Sequence, residues 1–182
     1  GLEQGLLSEK VSFGATYFYN YFDELIQSVP QPGGGSLAEN VGKSRSRGVE
    51  LEGTLRPFAH VELKAFYTFL EAETIRDREP LIRRPKHSGG LTFHWKLTER
   101  VDWNVNLSVL DERYDSTFAT GRPRRELAPN FAKLDTTITV ALNKHVEFYT
   151  RIENLNEEDD DDVLGFDSPG AQFFGGMRVR LG

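Results

Sequence analysis

The sequence predicts an all-β fold: an antiparallel up-and-down transmembrane β-barrel of about eight strands, with short periplasmic turns and long extracellular loops. Three observations carry this expectation. Apolar and polar residues alternate in successive segments, the connections are short at one end and long at the other, and one parity collects charge. In the clearest segment Val101, Trp103, Val105, Leu107 and Val109 share one parity, and Asp102, Asn104, Asn106 and Ser108 share the other. Successive side chains of a strand point to opposite faces, so this strand has an apolar face and a wet one.

Taken in order, residues 1–7 read as the tail of an earlier strand, closed by a turn at residues 8–10. Strand one covers about 11–29. A proline- and glycine-rich loop, 30–36, follows; its Gly33, Gly34 and Gly35 lack the strand-to-helix setting of a phosphate loop and read as linker. Strand two ends near residue 56, and a tight connection at 57–60 leads to strand three, about 61–76. A second long loop carries Pro80 and Pro85, strand four ends near residue 97, and the turn at 98–100 is tight again. Strand five reaches about residue 116, and a third long loop spans 118–130. Strand six closes at the turn 143–145, strand seven runs to about 154, an acidic loop follows, and strand eight begins near 172. A soluble sandwich has no reason to sort its loops this way.

Spacing and aromatics give further tests. A tilted strand climbs roughly 2.5 Å per residue, so an apolar band of about 25 Å needs about ten residues. In strand five the outward series ends at Val109, because the next outward residue is Asp111. Trp95 and Trp103 flank the 98–100 turn on the outward parity, where an interfacial girdle near the periplasm is expected; Tyr17, Tyr19 and Tyr21 form the opposite girdle. The inward parity holds Glu50, Glu52, Glu62, Lys64, Asp135, Glu147, Tyr149, Arg151, Glu153, Arg178 and Arg180. Mixed charge of this kind suits a hydrated lumen or a network of paired charges with a structural role.

Composition bounds the function classes. At 182 residues the chain suits a single domain, 1–182, and it has no uninterrupted apolar run of about 18 residues, which excludes a transmembrane helix. The chain has no cysteine, which removes thiol catalysis, thiolate metal sites and disulfides. A net charge of −6 argues against a nucleic-acid partner. Gly1 is not preceded by a basic and apolar leader, so an export signal is expected to lie upstream or to have been removed.

Several segments together resemble the C-terminal part of the barrel of TonB-dependent outer-membrane receptors, the family that imports siderophores, cobalamin and similar scarce ligands. They are VSFGATYFYNYFDELI at 11–26, NVGKSRSRGVELEGTLRP at 40–57, VELKAFYTFLEA at 61–72, LIRRPKHS at 81–88, ERYDS at 112–116, RIENL at 151–155 and GFDSPG at 165–170. The cobalamin-receptor-like branch is the most similar. The resemblance implies a bacterial outer-membrane location and no cofactor. Its implied partners are outer-membrane lipid, lipopolysaccharide, the barrel-assembly machinery and, in a parent receptor, a siderophore or cobalamin ligand captured by the surface loops. A complete receptor of this family has about twenty-two strands and a plug. This chain is expected to carry about eight strands, with neither a plug domain nor an energy-coupling box, and so not to transport on its own. Asn156 and Asp160 stand where the family usually has aromatics, and the chain ends Arg180, Leu181, Gly182 instead of on an aromatic. Eight strands would suffice for a small closed barrel with a filled lumen and little pore activity, so a stand-alone barrel with a structural or surface-interaction role is the alternative.

The loops supply the candidate sites. Arg122, Arg124 and Arg125, and Arg83, Arg84 and Lys86, offer cations to lipopolysaccharide phosphates or an anionic iron chelate, or to ordinary loop salt bridges. Asp159, Asp160, Asp161 and Asp162 offer oxygen ligands to calcium, but their spacing matches no EF-hand and reads first as a solvated charge run. His60, His87, His94 and His145 have no metal-ligand spacing, and no serine sits in a nucleophile elbow, so catalysis is not expected.

Overall fold

Segments rich in Val, Phe, Tyr, Trp and Thr with a period of two leave the backbone one regular option, the pleated sheet. The computed structural model describes residues 1–6, 10–24, 26–30, 35–40, 42–117, 124–159 and 168–180. Among these residues there are thirteen strands and no helix: β1 (Leu2–Leu6), β2 (Val11–Phe22), β3 (Ile26–Pro30), β4 (Ser36–Asn40), β5 (Ser44–Phe58), β6 (Val61–Thr74), β7 (His87–Thr98), β8 (Val101–Leu110), β9 (Arg113–Thr117), β10 (Arg124–Ala128), β11 (Phe131–Ala141), β12 (Val146–Glu153) and β13 (Gln172–Val179). Nine of them form one sheet in the order β1-β2-β5-β6-β7-β8-β11-β12-β13, and β3-β4 and β9-β10 are separate hairpins. Every ladder is antiparallel, so the main sheet is an up-and-down meander.

The structure departs from the sequence expectation in three places. Residues 2–6 are a full strand of this sheet, pairing from Leu2↔Ala15 to Leu6↔Val11, so the count is nine where about eight were expected. The first long strand ends at Phe22, ahead of Asp23 and Glu24, and the pattern beyond belongs to the self-paired β3-β4 hairpin. Likewise β8 ends at Leu110 before Asp111 and Glu112, and β9 pairs with β10. In both cases strand-forming residues resume after two acidic residues while the partner strand changes, and local pattern alone does not report the partner. Among the described residues no ladder joins β1 to β13, so a closed ring is not seen.

The short connections have clear local causes. Ala59 and His60 turn β5 into β6, and Glu99 and Arg100 turn β7 into β8, each beside a register shift, at Leu55/Phe58 and Lys96/Thr98. Such bulges add twist at a sheet rim. Between β11 and β12 the Asn143 carboxamide oxygen accepts the N–H groups of His145 (2.8 Å) and Val146 (3.0 Å), the side-chain cap expected of a tight turn.

Both faces of the main sheet are largely open. Among the described residues the only buried hydrophobic side chains are Ala72, Leu81 and Ala128, whereas Phe173 is 72% and Met177 57% exposed. Among the described residues the buried side chains lie at the long-loop end: Ser44, Ala72, Leu81, Arg113, Asp115, Ala128 and Asn154. Across the sheet large side chains lie over glycines on the neighbouring strand. A Cβ at Gly90 would sit 2.6 Å from the Phe66 ring and 2.8 Å from the Leu107 carbonyl oxygen, and one at Gly176 would sit 2.5 Å from the Tyr149 ring. Each glycine thus makes room for the ring that folds onto it.

Gly176→Ala is expected to destabilise the folded protein in detergent by about 1–3 kcal/mol through overpacking. Because the three atoms nearest the new methyl all belong to the Tyr149 side chain, Gly176→Ala with Tyr149→Ser should cost clearly less than the sum of the two single changes. Urea midpoints of the four proteins of this cycle measure the difference, and strict additivity would contradict the contact.

Candidate functional site

The registers sort the side chains into rows, and adjacent rows differ in chemistry. One row across six strands reads Leu63, Phe93, Val105, Thr136, Ile152, Phe173; the next reads Glu62, His94, Asn104, Thr137, Arg151, Phe174. Since one residue along a strand reverses the face, the first row lies on an apolar face and the second on a polar face.

All ten charged residues assigned to the inward parity share the polar face. Glu50 lies opposite Thr16 and Thr68, Glu52 opposite Gly14 and Phe66, Lys64 opposite Thr92, Asp135 opposite Asn106, Glu147 opposite Arg178, and Glu153 opposite Gln172. They pair locally across and along strands. Glu62 receives Arg56 at 2.7 Å and Lys64 at 2.8 Å, Glu147 receives Arg178 and, at 3.3 Å, Arg180, and Arg151 pairs with Glu153. His94 and Asp102 approach to 3.1 Å, and Asp135 accepts the Asn154 N–H at 2.9 Å. Asn106, Asp135, Thr137, Tyr149, Arg151 and Arg178 line a hollow of about 440 Å³ on this face.

The apolar face carries the aromatics. Trp95 and Trp103 are directly opposed, with ring centroids 6.3 Å apart, and Phe93 meets Trp103 edge-on at 5.7 Å. The Trp103 indole N–H donates to the Thr136 hydroxyl at 2.8 Å, satisfying its one polar atom. Tyr17, Tyr19 and Tyr21 occupy the same face at the long-loop end and stay 65%, 52% and 46% exposed. Above Tyr17 the face becomes charged. Arg47 opposes Tyr19 and pairs with Glu71 at 2.7 Å, and Arg45 opposes Tyr21 and pairs with Glu73 at 2.5 Å. Just outside β5, Lys43 lies 3.1 Å from Asp23. The hydrogen bond that the Lys43 ammonium donates to Asp23, then the one to Tyr21, holds it above the ordinary lysine pKa.

The candidate loop residues have different fates. Arg83 donates to Asp115 at 2.7 Å, and Asp115 is fully buried. Arg125 contacts Glu79 at 3.3 Å, donates to the Pro80 carbonyl oxygen, and lies 4.3 Å above the Tyr114 ring. These contacts, with Arg83 N–H to Tyr114 O (2.7 Å), bind the 75–86 loop to the β9-β10 hairpin, and Leu81 N–H to Ala72 O (2.8 Å) ties it back to β6. Arg84 is exposed and donates to the Arg83 carbonyl oxygen at 3.1 Å. Arg124 opens β10, opposite Thr117. Arg122, Asp160, Asp161 and Asp162 lie outside the described residues, and Asp159 is exposed. Among the described residues no group of three or more His, Asp or Glu side chains is arranged to hold a metal ion.

Two asparagines after β12 do more than their sequence announces. Asn154, 2% exposed and with φ of 52°, donates its amide to the carbonyl oxygens of Glu158 (2.8 Å) and Pro169 (3.3 Å) and accepts the Glu158 N–H (2.9 Å). Asn156 accepts the Leu134 N–H at 2.9 Å and donates to the Ala132 carbonyl oxygen at 2.6 Å, so its carboxamide acts as one more peptide unit on β11. The signal was available: Asn tolerates the left-handed region and bonds to nearby backbone, and the chain reads Asn-Leu-Asn where a strand ends.

Comparison with known proteins agrees with this geometry. The family model described as TonB dependent receptor-like, beta-barrel matches residues 1–155. An iron-regulated outer membrane virulence protein of Vibrio cholerae serotype O1 is 23% identical over 146 residues, covering 78% of this chain and 22% of that protein. The ferric-catecholate import receptor Fiu of E. coli K12 superposes with a TM-score of 0.74 at 15% identity, covering 97% of this chain and 26% of the receptor. The ferripyoverdine receptor of Pseudomonas aeruginosa, bound to ferripyoverdine, superposes at 0.75 with 10% identity and covers 97% and 26%. The chain thus spans about a quarter of the length of the proteins it matches.

Arg83→Ala is expected to weaken the join between the 75–86 loop and β9 by about 1–3 kcal/mol, since it strips a charged hydrogen bond from buried Asp115 while Arg83 itself is half exposed. Amide hydrogen exchange should rise at Leu81 and Arg83, whereas Arg84→Ala leaves it unchanged. Equal exchange in both variants would contradict the assignment.

Proposed function

Because the chain belongs to the TonB-dependent receptor β-barrel family and resides in the bacterial outer membrane, we propose that its nine-stranded sheet is part of the barrel wall of a receptor that takes up ferric chelates. The observation that carries this reading is the pair of adjacent rows, one apolar and one charged, across the same six strands. A wall with hydrocarbon on one side and water on the other needs that alternation. The apolar face is then the lipid face, bounded by the Trp95–Trp103 pair below and the Tyr17, Tyr19 and Tyr21 series above. The polar face lines the lumen, and its ion pairs keep Glu62, Glu147, Arg151 and Arg178 compatible with a confined, wet interior.

The edges support a wall segment over a small closed ring. An unpaired backbone group in hydrocarbon costs several kcal/mol, so β1 and β13 both require strand partners there. Solved receptors that share this fold over 97% of the chain are about four times longer, and strands from the rest of such a barrel would supply those partners.

The ligand class follows from kinship with receptors named for ferric catecholates and ferripyoverdine. In this reading the long loops face the cell exterior, and Arg84 is an exposed cation available to an anionic chelate, while Arg83 and Arg125 organise the loops that present it. Lipopolysaccharide around the wall and the barrel-assembly machinery during insertion are the further partners. The chain has a binding and conducting role and no catalytic one.

The absence of cysteine makes a direct test simple. With single cysteines in intact cells, Asn106→Cys and Thr137→Cys should react with a membrane-impermeant maleimide once the outer membrane is permeabilised, and Val105→Cys, Leu107→Cys and Met177→Cys should stay protected. Reversed protection would overturn the wall assignment. For the ligand, deleting the gene in iron-starved cells should lower uptake of radioactive iron from at least one of a catecholate and a hydroxamate chelate. Unchanged uptake of both would remove the transport reading and leave the wall intact.

A further inference from the structure

The apolar face contains a slot that the receptor reading leaves without a role. Gly89 of β7 lies directly between Tyr67 of β6 and Val109 of β8, and having no side chain it leaves a gap in the apolar face. Tyr67, His87, Leu91, Leu107 and Val109, all of the apolar-face parity, frame a groove there of about 440 Å³. Its two ends differ. Toward the short turn the walls are Leu91 and Leu107; toward the long loops stand His87, Asp111 and Asn130. The Tyr67 hydroxyl and His87 Nδ1 are 2.7 Å apart, which fixes both rings at the upper wall. Lys86, the next residue outward, holds its ammonium 5.7 Å above the Phe69 ring, and Phe69 packs against His87 with ring centroids 5.4 Å apart.

We propose that this groove holds one acyl chain of lipid A, the membrane anchor of lipopolysaccharide, with a lipid A phosphate received by Lys86 at its mouth. The inference rests on the apolar face being the lipid face. Three features select the occupant. The groove is apolar along its length and polar only at one end, matching a chain with a headgroup. The polar end adjoins the long loops, which places it in the outer leaflet, where lipopolysaccharide lies. The cation stands on the Lys86 side and the one carboxylate of the groove, Asp111, on the β8 side, so an anionic headgroup is directed to the β6-β7 side. A bulky side chain at position 89 would abolish the groove, and a lipid chain lying in the gap restores close packing between Tyr67 and Val109.

The test uses the full-length protein extracted from outer membranes into mild detergent and examined intact by native mass spectrometry. The unaltered protein and Phe148→Trp, a change on the same face but on β12, should retain a lipid A adduct. Leu107→Trp, which fills the groove, should lower that adduct about tenfold, the effect of losing roughly two buried methylenes. Val109→Trp provides the same test if Leu107→Trp does not fold, judged by loss of heat-modifiable migration. Lys86→Gln should lower the lipid A adduct several-fold and leave any phospholipid adduct unchanged. An adduct equally abundant in all folded variants, or one made of phospholipid alone, would overturn the site. Failure of the lipid-face reading looks different: the protein would stay in solution without detergent and carry no lipid of either kind.

Discussion

The constraint on which the rest of the structure depends is that every backbone N–H and C=O within hydrocarbon needs a partner in the protein. A strand in that setting pairs on both sides, and the sheet continues until it meets itself or another segment. With the backbone committed to ladders, only the side chains remain to answer two solvents, and the period of two assigns one parity to each. The row from Leu63 to Phe173 and the row from Glu62 to Phe174 are the outcome, one residue apart in every strand. A globular core is unnecessary under this arrangement, which accounts for exposed Phe173 and Met177 in a sheet with nearly complete ladders.

The buried side chains lie instead at the long-loop rim, which in the wall reading is where the chain leaves the bilayer and has no membrane to order it. There the fold uses hydrogen-bonded polar groups. Asp115 is fully buried against Arg83, Asn154 closes the turn after β12 through Glu158 and Pro169, and Arg125 spans Glu79, Pro80 and Tyr114. Buried polar groups of this sort are tolerated because their partners are present, and they specify one loop arrangement where apolar packing would permit several. The loops that would meet a ligand are therefore held by the same cations that a charge count alone would assign to ligand capture. The transition between the two regimes is visible on β5 and β6, where outward apolar residues give way to the Arg47–Glu71 and Arg45–Glu73 pairs beside tyrosines whose rings suit an interface.

Much of this was legible in the sequence. The parity of Val101 to Val109 against Asp102 to Ser108, the tight turns at Ala59–His60 and Glu99–Arg100, and the shared face of the ten charged residues follow from local alternation, because a strand has no freedom to place neighbours on the same side. The β3-β4 and β9-β10 hairpins were hidden, since strand-forming residues resume after Asp23-Glu24 and Asp111-Glu112 and nothing local says that they pair elsewhere. The engagement of Arg83 with Asp115 was hidden as well, because the two residues are 32 apart and meet only when a loop folds over a hairpin.

What the sequence determined by itself, then, is the chemistry of each face and the order of the main strands, because both depend on a period of two and on near neighbours. Which residues close the rim, where Phe66 and Tyr149 lean across to Gly90 and Gly176, where Gly89 opens a groove beside Tyr67, and which loop cations are already engaged were decided by the tertiary structure. Those outcomes depend on register between strands and on contacts between loops, and register is a property of two strands that neither carries alone.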